Sequence, residues 1–330
     1  MSNKILIYGE GWTGTLPQLL HSDLKGKGIE SKVFDFTDIM PGIRNRHFSA
    51  KVMRRIFFRL YEIRINYLFL KLIRHYQPST IVVVKGLNLK LETLARIKEA
   101  GIMLINWNPD DFFNMRNSNN NLIEAIKYYD LIISPRPHLF KKYYSYGAKK
   151  LLFLDWYYVP NLHYFQNLEK TIDYSFVGSW SEYREGFIDS IGKTFCIRGG
   201  GWEKSSNKFK KKHDVDPIIL SQHDMCTLFN KTKINLNMLT PENEDLTNVR
   251  FFEVTGCGGL LLTERNSHSG KILKDKSECL MYSSSEDVTT ILGGDFNIEE
   301  ISKSGHQRII NGKNSFSDRV DTLLGFLKDA

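Results

Sequence analysis

Cysteine, proline and long apolar runs are all scarce in this chain of 330 residues, and each scarcity excludes something. No stretch approaches the roughly 20 consecutive apolar residues that a bilayer-spanning helix needs. The four cysteines, Cys196, Cys226, Cys257 and Cys279, lie too far apart for a paired zinc-ligand motif, and they give no reason to invoke a disulfide framework. The opening residues, Met-Ser-Asn-Lys-Ile-Leu-Ile-Tyr, run straight into a strand pattern without the profile of a signal peptide. There is no internal repeat, no low-complexity tract and no RRM, KH or zinc-finger pattern, so nucleic acid is not an expected partner. The expectation is a cytoplasmic protein. What remains is ordinary globular composition, 42% hydrophobic and 25% charged, in a chain long enough for two domains with separate cores.

Short apolar runs alternate with helical patterns along the chain. The stretches 4–8, 32–36, 79–85, 102–106, 131–134 and 150–154 read as strands, and Thr-Ile-Val-Val-Val in the third has the β-branched signature of burial on both faces. Helical patterns cover 16–27, a long stretch around 50–76, 91–100 and 121–129. A second strand series covers 174–177, 194–197, 233–239, 259–263 and 279–282. Strands alternating with helices predict parallel, doubly wound sheets. The expected organisation is a first domain over 1–156, a link over 157–170 around Pro160, a second domain over 171–312 and a final helix within 313–330 that returns to the first domain. The basic run 208–213 reads as a solvated loop.

Asn248 to Glu264 is the most informative stretch: Asn-Val-Arg-Phe-Phe-Glu-Val-Thr-Gly-Cys-Gly-Gly-Leu-Leu-Leu-Thr-Glu. On a helix the i, i+3 spacing puts Arg250 and Glu253 on one face. There a cation can meet a phosphate, and a carboxylate can accept hydrogen bonds from ribose hydroxyls. Gly256 and the glycines after it let a backbone approach a ligand without a Cβ in the way. The same residues also describe a surface salt bridge on a helix closed by a glycine cap. A competing motif, Gly9-Glu10-Gly11-Trp12-Thr13-Gly14, satisfies GxGxxG after the first strand, with Asp35 at the end of the second where a dinucleotide fold places its ribose acid. Trp12 would crowd the pyrophosphate, and the second half shows no recognisable hydride-transfer residues.

The 248–264 stretch resembles the C-terminal domain of GT-B glycosyltransferases, in particular the spore-maturation CgeB-like group. Asp173 to Ser179 followed by Arg184 is similar to that group's opening strand and loop, Ile197 to Trp202 to its second strand and glycine-tryptophan turn, and Leu228 to Leu239 to the helix and strand before the Arg/Glu motif. Four blocks in order cover about residues 170–265; the N-terminal half matches in general architecture alone. The resemblance implies a GT-B fold, two Rossmann-like domains facing a central cleft. It further implies transfer of a sugar from a nucleotide-diphosphate-sugar co-substrate to a hydroxyl acceptor on a glycan, a lipid-linked carrier or a protein, in cell-surface polysaccharide or glycoconjugate synthesis. Arg250, Glu253, Asn248, Gly256, Gly178, Ser179, Arg184, Gly201 and Trp202 become donor contacts, and Gly11, Trp12 and Thr13 line the cleft. Two other classes stay open: an NAD(P)-dependent enzyme using the N-terminal glycines, and a non-catalytic nucleotide-sugar-binding protein.

In the first domain, Asp110 and Asp111 follow the 102–106 strand, at the carboxyl edge where open α/β sheets bind ligands. They are the first candidates for a general base, with Glu10 behind them and His138 a further strand-end residue. An Asp-rich turn capping the next helix is the competing reading. Asp110-Asp111 is also similar to the DxD metal motif of other glycosyltransferases, but GT-B enzymes meet the leaving diphosphate with basic residues and helix N-termini, so no metal and no further cofactor are expected. Position eight after Glu253, where related retaining enzymes carry a second glutamate, is Leu261, and the next acid is Glu264, which leaves the stereochemistry open. Finally, 44–74 holds nine Lys or Arg and one acid, Glu62, interleaved with aromatics. It either seats the chain peripherally on anionic lipid at the inner face of a membrane or is an ordinary amphipathic helix packed on the sheet.

Overall fold

The structure is a computed structural model that describes residues 4–40, 48–115, 117–240 and 246–328. The chain divides into two compact units, Met1–Asp155 and Trp156–Ala330. Each carries one six-stranded, wholly parallel sheet.

The first unit contains β1 (Ile5–Gly9), β2 (Ser31–Asp35), β3 (Thr80–Val84), β4 (Met103–Trp107), β5 (Leu131–Ser134) and β6 (Leu151–Phe153). Their spatial order is β2-β1-β3-β4-β5-β6. Buried on both faces, β1 and β3 read as continuous apolar runs rather than alternating ones. Leu6, Tyr8, Ile81 and Val83 pack on one side with Ile65, Phe69 and Ile73 of the helix Phe58–Tyr76.

The second unit contains β7 (Ile172–Val177), β8 (Cys196–Arg198), β9 (Asp214–Asp216), β10 (Thr232–Leu236), β11 (Leu261–Glu264) and β12 (Leu280–Tyr282), in the order β12-β11-β10-β7-β8-β9. Adjacent residues feed opposite layers, as the two-residue period of a strand requires. Phe176, Leu262 and Leu280 enter one apolar cluster, while their neighbours Val177, Leu261 and Met281 enter the other.

Both sheets wind outward in two directions from their first strand, so each has a point where the strand order reverses. In the first unit it lies between β1 and β3. In the second, where the order is that of a dinucleotide-binding fold, it lies between β7 and β10. Ligands in open α/β sheets bind beyond the carboxyl ends of the strands at such points.

Two elements differ from the sequence reading. The run 208–213 is not a loop: Asn207–Lys212 is a helix capped by Ser206, with Phe209 and His213 buried, and it leads into the edge strand β9. Asp-Val-Asp has no apolar run to announce a strand, because its residues are largely exposed. The long helix expected around 50–76 is two helices, Phe48–Ile56 and Phe58–Tyr76, that break at Phe57. The last helix is Phe316–Lys328, from which Arg319 donates to the Trp156 carbonyl at 2.9 Å and Phe316 N–H donates to the Tyr158 carbonyl at 2.8 Å. No helix among the described residues is long and apolar enough to cross a membrane.

Candidate functional site

At the reversal point of the second sheet, two arginines converge on the end of β7. Arg250, on the helix Val249–Gly256, donates through Nε to the Val177 carbonyl at 3.3 Å. Arg184, on the helix Glu182–Ser190, donates to the Ser179 carbonyl at 2.8 Å, to its hydroxyl at 3.2 Å and to the Thr240 hydroxyl at 3.2 Å. Gly178 and Ser179 therefore sit between two guanidinium groups whose charge is fixed near neutral pH. Asn248, just before the Arg250 helix, is spent on position: its carbonyl oxygen accepts from Phe251 N–H at 3.1 Å, and its amide donates to Asn237 at 2.8 Å beyond the end of β10. That cap locks the helix start to the sheet edge.

Gly201 and Trp202 shape this loop from beneath. The Trp202 ring is wholly buried, stacks on Phe209 and donates its indole N–H to the Gly178 carbonyl at 2.8 Å. Gly201 adopts φ 90° to start that turn, and a Cβ on Gly199 would sit 2.1 Å from the Gly178 carbonyl oxygen. The glycine-tryptophan turn thus holds the Gly178–Ser179 loop by close packing.

Glu253 is 4% exposed, pairs with Arg250 through Oε2 and faces His163 Nε2 at 3.6 Å through Oε1. The sequence leaves two readings of the motif residues, contacts to separate parts of a nucleotide or a salt bridge on a helix; the structure holds them together as an ion pair, with Glu253 buried rather than at the surface. His163 was invisible to motif reasoning. Its Nδ1 accepts from Val159 N–H at 3.0 Å, which leaves the proton on Nε2 to face Gln222 at 3.2 Å and Glu253. Burial holds its pKa below the ordinary value despite the Glu253 charge. The glycine cluster also has a purpose the sequence did not reveal. A Cβ on Gly256 would lie 2.8 Å from Tyr158 Cβ, and one on Gly258 would lie 2.8 Å from the Phe165 ring. The glycines admit segment 157–165, which brings His163 to Glu253. Glu264, the last residue of the 248–264 stretch, accepts from Leu239 N–H at 2.9 Å; burial raises its pKa, with Arg184 opposing.

The reversal point of the first sheet is a different kind of place. A cavity of about 540 Å³ is lined there by Glu10, Leu16, Pro17, Phe36, Val84, Lys85 and their neighbours. Lys85, directly after β3, has φ 63°, an uncommon conformation for a residue with a side chain. Asn106 on β4 donates to its carbonyl at 3.1 Å, and its ammonium reaches Asp110 at 2.8 Å. Burial raises the pKa of Glu10; Lys85 opposes that shift, and Asp35 and Asp110 add to it. Asp111 accepts from Phe113 N–H at 2.7 Å, the capping geometry of an Asp-rich turn. The cavity thus collects Glu10 and Lys85 directly and Asp110 through Lys85, whereas His138 lies in the turn Pro137–Leu139 and has no place in the lining.

The N-terminal glycines are explained by packing. A Cβ on Gly9 would lie 2.5 Å from the Pro17 ring, and one on Gly11 would lie 2.4 Å from Asp35 Oδ2. Asp35 Oδ1 accepts from the Thr37 N–H at 2.9 Å and its hydroxyl at 2.6 Å. Thr15 closes the loop over Trp12 and Thr13, donating within reach of the Glu10 and Trp12 carbonyls at 2.6 and 2.7 Å. Among the described residues no group of three or more His, Cys, Asp or Glu side chains is arranged to hold a metal ion.

With this geometry in view, residues 180–325 match the family model described as "Glycosyl transferase-like". No curated protein matches the sequence. Solved structures match over nearly the whole chain at low identity. Sucrose-phosphate synthase from Thermosynechococcus elongatus superposes with a TM-score of 0.71 at 10% identity, covering 99% of both chains. Anabaena HepE in complex with UDP-glucose gives 0.67 at 11%, covering 99% of this chain and 100% of that one. A trehalose-6-phosphate protein from E. coli bound with UDP-2-fluoro glucose gives 0.65 at 11%, covering 99% of both. Two parallel six-stranded sheets of these orders, together with these likenesses, give the chain the GT-B fold.

Proposed function

We propose that the protein is a glycosyltransferase that takes a sugar from a nucleotide-diphosphate-sugar donor and passes it to a hydroxyl acceptor. The observation that carries this reading is the convergence of Arg250 and Arg184 on the Gly178–Ser179 loop, at the reversal point of a sheet with dinucleotide-fold order. Two fixed cations there match a diphosphate. Glu253 serves the ribose edge or holds Arg250 in place; His163 positions that carboxylate. The family match over 180–325, and the UDP-glucose and UDP-2-fluoro glucose complexes of two similar structures, support the nucleotide-sugar assignment.

The acceptor belongs to the cavity of the first unit. A general base there must lie within reach of a hydroxyl and hold a pKa matched to its task. Glu10 lines the cavity, and burial raises its pKa, the direction that favours a base, with Lys85 opposing. Asp110 is paired with Lys85 and Asp111 caps a turn, so the structure supports Glu10 ahead of the two residues that sequence reasoning ranked first. The dinucleotide alternative has less support, since Asp35 packs on Gly11 and spends an oxygen on Thr37. Transfer proceeds without a metal, the arginines meeting the diphosphate charge, and its place is cell-surface polysaccharide or glycoconjugate synthesis on the cytoplasmic side of a membrane.

A thermal-shift panel of nucleoside diphosphates and NAD(P), followed by turnover of the responding nucleotide's sugar, tests the class. A bound ligand stabilises the fold by mass action. A response to a nucleoside diphosphate with sugar transfer that survives EDTA is expected. A response to NAD(P) alone overturns the reading, a nucleoside diphosphate response without turnover reduces it to a binding protein, and activity lost to EDTA and restored by Mg²⁺ overturns metal independence.

A further inference from the structure

Eight of the seventeen exposed large apolar side chains among the described residues fall between Val52 and Tyr67. Seven of them belong to two consecutive helices that treat their faces differently, and the eighth, Phe57, lies at the break between the two. Phe48–Ile56 has no buried residue among those described: Val52, Met53 and Ile56 are exposed, and Arg54 is half-buried. Phe58–Tyr76 buries Ile65, Phe69 and Ile73 against the sheet. Its opposite face is not the polar surface expected of such a helix. Leu60 is 62% exposed, Ile63 52% and Tyr67 60%. At about 100° per residue, these three share one face with Arg64, Lys71 and Arg74, all exposed.

The charge on this surface has one sign. Arg55, Arg59, Arg64, Lys71 and Arg74 are exposed, and the single acid of the two helices, Glu62, is half-buried and pairs with Lys90 at 3.8 Å. An exposed apolar patch calls for a partner. A second copy of the same face would set these cations against their own kind. Nucleic acid would accept the charge but gain little from Ile56, Leu60 and Ile63. An anionic bilayer satisfies both, since aliphatic and aromatic side chains enter the acyl boundary while arginine and lysine stay among the phosphates. The patch is also continuous with the cavity, because Arg54 and Phe58 line it beside Phe36, Met40 and Lys85.

We propose that this helix pair seats the first unit on an anionic bilayer and that the cavity takes its acceptor from that surface, as the hydroxyl-bearing head group of an amphiphile whose chain stays in the lipid. The seating stands on the patch alone; the acceptor class rests on the transferase reading above.

The test is co-sedimentation with vesicles of phosphatidylcholine and of equimolar phosphatidylcholine and phosphatidylglycerol. Wild type should pellet with the mixed vesicles, not the neutral ones, and high salt should release it. Two variants that leave the cavity lining intact, Leu60→Ser/Ile63→Ser/Tyr67→Ser and Arg64→Glu/Lys71→Glu/Arg74→Glu, should each lose at least about tenfold in partitioning while keeping the wild-type circular dichroism melt. Absence of wild-type pelleting, unchanged partitioning in either folded variant, or self-association or RNA binding through this face without vesicle binding overturns the seating. Sugar from the nucleotide donor should enter the organic-extractable fraction of vesicles made from a cellular lipid extract; vesicle-bound protein that transfers sugar only to water-soluble acceptors overturns the acceptor class. Both variants should keep the nucleoside diphosphate thermal shift, so failure of the seating is distinguishable from failure of the donor assignment.

Discussion

Each sheet has a point where its strand order reverses, and the two points are filled with opposite materials. In the second unit the edge of β7 is crowded with fixed partners: two arginines on backbone carbonyls, a buried glutamate between an arginine and a histidine, and an indole pinning Gly178 from below. In the first unit the same topological position is a cavity of about 540 Å³ with apolar walls, one carboxylate whose pKa burial has raised, and a lysine in a left-handed conformation. On the proposed reading the first arrangement meets a group of constant charge, and the second meets a neutral group that must lose a proton. Preorganised donors cost no reorganisation when the ligand arrives, whereas a base works by changing its own charge.

The sharpest way to break the comparison is to remove the titratable group and leave the fixed ones. Glu10→Gln should lower kcat by about 10²–10⁴-fold with nucleoside diphosphate affinity unchanged. Full turnover in that variant, measured alongside calorimetric affinity, would return the base to Asp110 or Asp111. The reciprocal change is Arg250→Ala, which should weaken nucleoside diphosphate binding at least about tenfold through loss of a charged hydrogen bond. Because that change leaves the Glu253 carboxylate buried beside His163, Arg250→Ala/Glu253→Gln is the necessary companion. Unchanged calorimetric affinity in the double variant would remove the motif from the donor site.

A smaller effect separates positioning from contact. Burial lowers the folded-state pKa of His163 below its ordinary 6.5, so below about pH 6.5 the unfolded chain binds the proton more readily than the fold does. Stability should therefore fall as pH drops through 6.5 toward the lower folded value. His163→Gln should remove that contribution, flattening the Tm–pH curve by about 1–2 °C. A curve of unaltered slope would mean that His163 binds its proton equally well in the folded and unfolded chain, against the effect of burial.

Legibility in the sequence followed locality. Arg250 and Glu253 are three residues apart on one helix, so a fixed spacing betrayed them. Lys85, Glu10 and Asp110 come from the ends of β3, β1 and β4, and only the sheet order brings them together. His163 escaped because it sits in an aperiodic segment, and nothing local shows that Gly256 and Gly258 make room for Tyr158 and Phe165 on either side of it. Long β-branched strands such as β3 were plain; β9, three largely exposed residues, carried no hydrophobic signal. The GxGxxG stretch shows the opposite hazard. Its spacing matches a dinucleotide loop, yet Gly9 and Gly11 serve the close approach of Pro17 and Asp35.

The most direct measurement is hydrogen exchange of the intact protein with and without the nucleoside diphosphate that shifts its melting temperature. Protection should concentrate at 177–184 and 237–253, around the two arginines, and leave 9–15 and 84–88 at their unliganded rates. Protection of 9–15 with 177–184 unchanged would place the nucleotide on the N-terminal glycines and contradict the account.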